Sequence, residues 1–192
     1  MHDVALEQRD PAQLLEEIAR LRAEIGRLES KVDELDRLAH RDPLVPLFNR
    51  RGMLRELETM IARHARHGHP AAVLFVDLND LKLLNDSYGH MGGDAALVTV
   101  AEKLVEGTRA TDCVARLGGD EFCVLLDHAD EKSALETAER LVDIIADGEC
   151  LFEGSPMPLS VAIGVTLIEQ GDTPATVLAR ADKAMYRVKA AA

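Results

Sequence analysis

The sequence has 192 residues, which is enough for one globular domain of ordinary size and an additional segment. Hydrophobic residues make up 47% of it and aromatic residues 3%, so we expect a mainly aliphatic core. The formal net charge of −12 argues against nucleic-acid binding, which normally requires a basic surface.

The cysteines and the hydropathy pattern indicate the cellular compartment of the protein. Cys113, Cys123 and Cys150 lack metal-ligand spacing, and their odd number leaves one unpaired in any disulfide scheme, so we expect reduced thiols. The first residues have no basic segment followed by an apolar run, as a signal peptide would. No apolar stretch approaches the ~20 residues of a membrane span. We therefore expect a cytoplasmic protein with no membrane attachment.

Residues 12–40 are predicted to form a parallel, dimeric coiled coil, preceded by a disordered N-terminus at residues 1–11. Apolar residues recur at alternating steps of four and three: Leu14, Ile18, Leu21, Ile25, Leu28, Val32, Leu35 and Ala39. Leucine at the d positions and mainly branched residues at the a positions favour two parallel strands. The alternative is an amphipathic helix that lies on its own domain, but the apolar seam is narrow and charged on both sides. A protein partner at this coil is a further expectation.

Residues 41–192 are predicted to form one α/β domain. Asp42-Pro43 and Pro46 end the first helix near His40 and make residues 40–48 a hinge. The elements expected after it are helix, strand, helix, a two-stranded hairpin, helix, strand and helix, at about 50–67, 71–76, 93–107, 113–126, 131–147, 159–168 and 173–190. This order indicates a mixed central sheet flanked by helices. Three histidines end the first of these helices (His64, His67, His69), where a helix C-terminus explains them better than a metal site.

The chemistry is concentrated around the hairpin Arg116-Leu-Gly-Gly-Asp-Glu-Phe122. Gly118 and Gly119 lie between two apolar runs and predict a tight turn, which leaves room for a phosphate against the backbone. The turn carries Asp120 and Glu121 to the start of the outgoing strand. Alone, this pattern would describe an ordinary hairpin with solvated acids. A second acidic group upstream favours a functional site.

Asp77 is that second group, because it ends the buried strand Ala71–Val76. If this strand and the hairpin are neighbours, Asp77, Asp120 and Glu121 converge at one end of the sheet. Carboxylates beside a backbone carbonyl form a hard oxygen site for Mg²⁺, which binds substrate phosphates through one or two acids.

The segment after Asp77 supplies groups for a nucleotide. Lys82 follows at about one helical turn and offers positive charge to a phosphoryl group. Asn85 and Asp94 offer an amide and a carboxylate, and a carboxylate accepts the paired N–H groups of the guanine edge. Helix capping alone would also explain Asp94. Together these residues predict a metal-dependent site for a purine nucleoside triphosphate, with guanine preferred.

The hairpin, together with Asp-x-Asn-x-x-Lys-x-x-Asn-Asp-x-x-Gly-His-x-x-Gly-Asp at residues 77–94, resembles the GGDEF family of diguanylate cyclases over residues 40 to 190. The resemblance implies a fold similar to the catalytic palm of nucleotide cyclases and a place in bacterial signalling. It implies condensation of two GTP into cyclic di-GMP with release of two pyrophosphates. Each subunit would hold one GTP, so two subunits must face each other, and the coil would control whether they meet.

The resemblance also implies residue roles. Asp77, Asp120 and the carbonyl of Leu78 would ligate Mg²⁺ or Mn²⁺, and Glu121 would support a second metal ion. Asp120 would also take the proton from the ribose 3′-hydroxyl. The catalytic residues would be Asp120, Glu121 and Lys82. The substrate-binding positions would be Asn85, His90, Asp94, Gly118, Gly119 and Lys189. Arg109 and Asp112, five residues before the Gly-Gly pair, match an inhibitory site for the product, although the same spacing is common in salt bridges.

Three departures from the family pattern modify these expectations. Val45-Pro46 stands where Thr-Gly is usual, which predicts a stiffer hinge. Asn79 replaces a common second aspartate and removes a negative charge near the metal. The sequence ends at Ala192, where the family usually continues into Gly-Arg-Asn, so we expect weaker triphosphate binding. The competing hypotheses are a degenerate domain that senses GTP or cyclic di-GMP, and a coiled-coil scaffold with a passive domain.

Overall fold

The computed structural model describes residues 11–191, which divide into two compact units with the boundary between Ala39 and His40. The first unit consists of helix α1 (Pro11–His40), which begins at a proline, as suits a first helical turn. The predicted disorder of residues 1–11 falls outside the described range except for Pro11. None of the residues of α1 is buried, and its heptad side chains lie exposed within a single chain, except for the half-buried Ala39.

The second unit is the α/β domain. Its elements in chain order are α2 (Arg50–His67), β1 (Ala71–Leu78), α3 (Leu81–Glu106), β2 (Cys113–Gly118), β3 (Glu121–Asp127), α4 (Glu131–Ala146), β4 (Leu151–Phe152), β5 (Ser155–Pro156), β6 (Val161–Leu167) and α5 (Pro174–Ala191). Apart from α3, the longer elements lie close to their predicted positions. The short β4–β5 hairpin was not predicted.

Four strands form the central sheet in the order β2-β3-β1-β6, and β4 and β5 form a separate ribbon. Each neighbouring pair in the central sheet is antiparallel, so the prediction of a mixed sheet is wrong in this respect. β1 and β2 do run in the same direction, but the hairpin places β3 between them. Within the described residues, parallel pairing is limited to an isolated bridge between Phe48 and Ala115.

Helices cover both faces of the sheet. Every residue of β1 is buried, because its alternating side chains enter two separate cores. Leu74 and Val76 pack with residues of α3 and α4 on one face. Val73 and Phe75 pack with residues of α2 and α5 on the other. The end of β1 is therefore held firmly in the middle of the domain, and this fixes the position of Asp77.

Helix α3 begins at Leu81, well before the predicted start near residue 93, and is bent at Gly89. Gly89 has φ 72° and ψ 172°, a conformation that glycine adopts at little cost. The bend divides α3 into a segment that continues from β1 and a longer segment that packs on the sheet. The two halves of the upstream motif thus lie on different segments.

Other sequence expectations are also resolved by the fold. All three cysteines are free thiols, and burial raises the pKa of the Cys113 thiol to about 12. His64 contacts the backbone carbonyl of His69 through Nδ1 at 2.8 Å, across the end of α2. Between residues 11 and 191 we find no helix long and apolar enough to cross a membrane.

Candidate active site

The three acids predicted to converge lie at one end of the central sheet. β1 and β3 are neighbours, and their register places Asp77 directly opposite Glu121. The backbone N–H of Leu78 donates to the carbonyl oxygen of Asp120 at 3.0 Å. The convergence of the β1 end with the hairpin is therefore confirmed, and Leu78 lies beside Asp120.

A tight turn presents Asp120 and Glu121. Gly118 has φ 143° and Gly119 has φ 56°, in the region that favours glycine. Arg116 stabilises the turn, since its Nε and Nη2 donate to the carbonyl oxygen of Gly119 at 3.1 and 2.8 Å. Its remaining Nη1 contacts the Asp42 carboxylate at 3.3 Å, which ties the turn to the loop before α2. The sequence did not predict that Arg116 and Asp42 hold the turn in place.

The electrostatics of the turn are those of crowded carboxylates. The pKa of Glu121 is raised, first by burial and then by the negative charges of Asp120, Asp182 and Asp77. Arg50, at the start of α2, partly offsets this rise. Mutual repulsion in this group would be relieved by a cation. The sequence did not predict that Asp182 and Arg50 lie near this site, since neither residue belongs to a recognisable motif.

Asp77 is paired with a lysine. The residue Asp77 is only 8% exposed, and its carboxylate accepts a hydrogen bond from the ammonium group of Lys189 on α5. The same hydrogen bond is the main reason that the pKa of Lys189 is raised. The sequence predicted that Lys189 would balance the charge of a triphosphate. The structure places it on the acid that was predicted to hold the metal.

The predicted nucleotide-binding side chains are distributed over the two segments of α3. Lys82 and Asn85 lie before the bend at Gly89, and His90 and Asp94 lie after it. Among the residues that the structure describes, Asn85 and Asp94 form no side-chain hydrogen bond or ion pair, so both are available to a ligand. The bend allows both segments to contribute to one site.

The donor set at the end of β1 suits a hard divalent cation, because it combines carboxylates with the Leu78 carbonyl. Across residues 11–191, no three His, Cys, Asp or Glu side chains are placed together so that they could hold a metal ion. Mg²⁺ typically binds through one or two carboxylates and completes its coordination with substrate phosphates and water. The residues therefore fit a metal that binds together with its substrate.

Arg109 and Asp112 lie away from this turn, before the first residue of β2. The five residue steps from Cys113 to Gly118 along β2 correspond to about 17 Å, so the two sites lie at opposite ends of this strand. The Asp112 carboxylate accepts hydrogen bonds from the backbone N–H of Arg109 at 2.8 Å and of Asp127 at 3.3 Å. A cavity of about 410 Å³ adjoins them, and its lining includes Arg41, Phe48, Arg109 and Asp112.

Comparison with known proteins identifies the family. Residues 39–192 match the family model described as diguanylate cyclase, GGDEF domain. The chain is 33% identical over 178 residues to the diguanylate cyclase DgcP of Pseudomonas aeruginosa, which covers 93% of the chain and 26% of DgcP. It is 40% identical over 153 residues to the diguanylate cyclase TpbB of the same species, which covers 79% of the chain and 35% of TpbB.

A solved structure agrees with this assignment. The crystal structure of the diguanylate cyclase SiaD in complex with its activator SiaC, from Pseudomonas aeruginosa, has a TM-score of 0.78 at 29% identity and covers 94% of this chain and 70% of SiaD. The chain thus belongs to the GGDEF family of diguanylate cyclases and has its palm-like α/β fold. It spans about a quarter to a third of the length of the two curated relatives named above.

Proposed function

We propose that this protein is a diguanylate cyclase, which condenses two GTP molecules into cyclic di-GMP and releases two pyrophosphates. The observation that carries the proposal is the pairing of β1 with β3, which brings Asp77 opposite Glu121 and Leu78 beside Asp120. Membership of the family, and relatives named as diguanylate cyclases, support the same activity.

Asp77, the Leu78 carbonyl and Asp120 would hold a divalent metal ion, with Glu121 supporting a second one. Mg²⁺ is the first candidate and Mn²⁺ the second. When bound, such an ion stabilises the negative charge of the reacting oxygens. The crowded carboxylates around Glu121 support this assignment, because they repel one another unless a cation is present.

The chain's own residues have distinct parts in the reaction. Asp120 accepts the proton of the ribose 3′-hydroxyl as its oxygen attacks the α-phosphorus of the second GTP. The new bond joins the 3′-oxygen to that phosphorus, and the bond to the bridging oxygen breaks as pyrophosphate leaves. Gly118 and Gly119 let the triphosphate lie against the backbone, and Lys82 balances its charge.

The purine is recognised from α3. Asp94 accepts the paired N–H groups of the guanine edge, and Asn85 and His90 contact the substrate beside it. The lack of competing side-chain partners for Asn85 and Asp94 within residues 11–191 supports this role. Adenine cannot offer the same pair of donors, so the site prefers GTP over ATP.

The reaction requires two copies of the chain, because each domain holds one GTP. Residues 12–40 would join them as a parallel coiled coil, followed by the catalytic domain at 41–192. The exposure of the heptad residues of α1 in a single chain supports this arrangement. An activator protein that binds at the coil is the second proposed partner, because the similar protein SiaD was solved in complex with its activator.

Product inhibition is a further part of the proposal. Arg109 and Asp112 border a cavity large enough for part of a dinucleotide, and an arginine can pair with phosphate or the guanine edge. Cyclic di-GMP bound there would limit its own synthesis. Replacing Arg109 with Ala should raise the product concentration needed for half inhibition, and an unchanged inhibition curve would remove this site from the proposal.

The alternative is a domain that binds nucleotide without converting it. The contact of Lys189 with Asp77 favours this alternative, because a lysine on a metal-binding acid competes with the metal. Synthesis of cyclic di-GMP from GTP and Mg²⁺ distinguishes the two. Asp120→Asn should abolish synthesis, whereas Asp143→Asn, a control on an exposed residue of α4, should not. Equal activity in both variants would contradict the role of Asp120.

A further inference from the structure

We propose that Gly93 is a positioning residue for nucleotide recognition, because its missing side chain provides the space in which the Asn85 carboxamide lies. This inference rests on the proposed function, since it takes Asn85 as a substrate-contacting residue. It assigns to Gly93 a role separate from that of the neighbouring Asp94, which contacts the base itself.

The Asn85 side chain occupies the place that a side chain at position 93 would need. A Cβ added to Gly93 would lie 2.0 Å from Oδ1 of Asn85 and 2.9 Å from its Cγ, well inside van der Waals distance. The two positions are eight residue steps apart, which in a straight helix corresponds to about 12 Å along the axis. The bend at Gly89 brings the second segment of α3 back towards the first, so that Gly93 faces Asn85.

The atoms that Gly93 would meet belong to the end of a side chain. An alanine at this position can be accommodated by rotation of Asn85, so the fold loses little, and alanine favours helix more than glycine does. The carboxamide has no side-chain hydrogen bond within residues 11–191 to hold it in place. Its position therefore depends on the space that Gly93 leaves.

The preceding glycine offers a matched contrast. A Cβ on Gly92 would lie 2.4 Å from Cβ of Tyr88, an atom attached directly to the backbone that no rotation can remove. Gly92 is thus required for helix packing, whereas Gly93 is required for the placement of a ligand-binding group. Two adjacent buried glycines in one motif have different functions.

The experiment measures binding of 3′-deoxy-GTP, which cannot act as the nucleophile, to four forms of the full chain by calorimetry with Mg²⁺. The forms are the wild type, Gly93→Ala, Asn85→Ala and the double variant. Gly93→Ala should weaken binding about tenfold and reduce the preference for 3′-deoxy-GTP over 3′-deoxy-ATP, as expected for the loss of a hydrogen bond. In the Asn85→Ala background the same change should have no effect, because the group that it displaces is absent.

Thermal unfolding of the same proteins distinguishes positioning from a folding defect. Gly93→Ala should unfold no earlier than the wild type, whereas Gly92→Ala should unfold at a clearly lower temperature. Unchanged binding by Gly93→Ala, or an additive loss in the double variant, would overturn this inference alone. A wild type that binds no 3′-deoxy-GTP would overturn both the proposed function and the inference.

Discussion

The ammonium group of Lys189, near the end of α5, donates a hydrogen bond to the Asp77 carboxylate at the end of β1. This contact neutralises a buried carboxylate at one end of the central sheet. A metal ion that binds Asp77, as proposed, would compete with the lysine for this carboxylate. If the proposed metal site is correct, Lys189 is an internal cation that competes with the metal for Asp77.

Replacing Lys189 with Met should increase the rise in unfolding temperature that Mg²⁺ produces, because the metal no longer displaces an ion pair. Without metal the variant should be less stable than the wild type, since Asp77 loses its partner. Thermal unfolding with and without Mg²⁺ measures both effects. Lys183→Met, an exposed lysine on the same helix, is the control. The competition is contradicted if both variants respond to Mg²⁺ as the wild type does.

Replacing Arg116 with Lys should lower the free energy of unfolding by about 1–2 kcal/mol and reduce cyclic di-GMP synthesis. A lysine lacks the planar fork of donors with which Arg116 contacts the Gly119 carbonyl twice and Asp42 once, so it cannot reproduce all three contacts. The turn that carries the acids would lose its anchor. Urea unfolding and product assays measure the two effects. Lys132→Ala removes an exposed pair on α4 and should change neither quantity. Wild-type stability and activity in the Arg116 variant would show that the anchor is dispensable.

The ion pair of Asp172 with Arg180 should make part of the stability depend on pH. Arg180 donates to both carboxylate oxygens, at 2.6 and 2.7 Å, and this holds the pKa of Asp172 well below its usual range. A depressed folded-state pKa stabilises the protein fully above the unfolded value of about 3.9, and this contribution is lost as the pH falls below that value.

Asp172→Asn should therefore be less stable than the wild type at pH 7, and the difference should shrink as the pH falls from about 5 towards 2. Urea unfolding across this range measures the difference. Asp143→Asn, on the exposed face of α4, should parallel the wild type at every pH. A constant difference between Asp172→Asn and the wild type would contradict the role given to the ion pair.

Replacing Leu28 with Glu should convert the proposed dimer into a monomer and abolish synthesis, because it places a charge in the apolar seam of the coil. The catalytic domain should still fold, since no residue of α1 is buried in the single chain. Ser30→Glu adds the same charge outside the seam and should remain dimeric and active. Light scattering and product assays measure both outcomes. An active monomeric Leu28 variant would contradict the coil as the dimerisation element.

The sequence predicted those features of the fold that depend on local pattern. Continuous apolar runs marked β1 and β3, and the Gly118-Gly119 pair marked the turn between β2 and β3. The prediction of a mixed sheet was wrong because strand order depends on how the hairpin packs beside β1, which no local pattern records. The early start of α3 was missed because the bend at Gly89 interrupts the helical pattern.

For the candidate site, the sequence predicted which acids come together but not the contacts that hold them. The acids of two motifs were expected to converge, and the pairing of Asp77 with Glu121 confirms that they do. The roles of the individual residues remain predictions. Lys189 on Asp77, Arg116 on the turn and Gly93 against Asn85 were not foreseen. Each is a contact between residues that only the folded chain brings together.

The most direct test of the central claim is a stoichiometric product assay. The protein is stripped of bound nucleotide, incubated with GTP and Mg²⁺, and assayed for cyclic di-GMP by mass spectrometry and for pyrophosphate by an enzyme-coupled reaction. We expect one cyclic di-GMP and two pyrophosphates for every two GTP consumed, and no corresponding product from ATP. Binding of GTP without formation of any cyclic dinucleotide would contradict the cyclase and leave the nucleotide-sensing domain as the function of this fold.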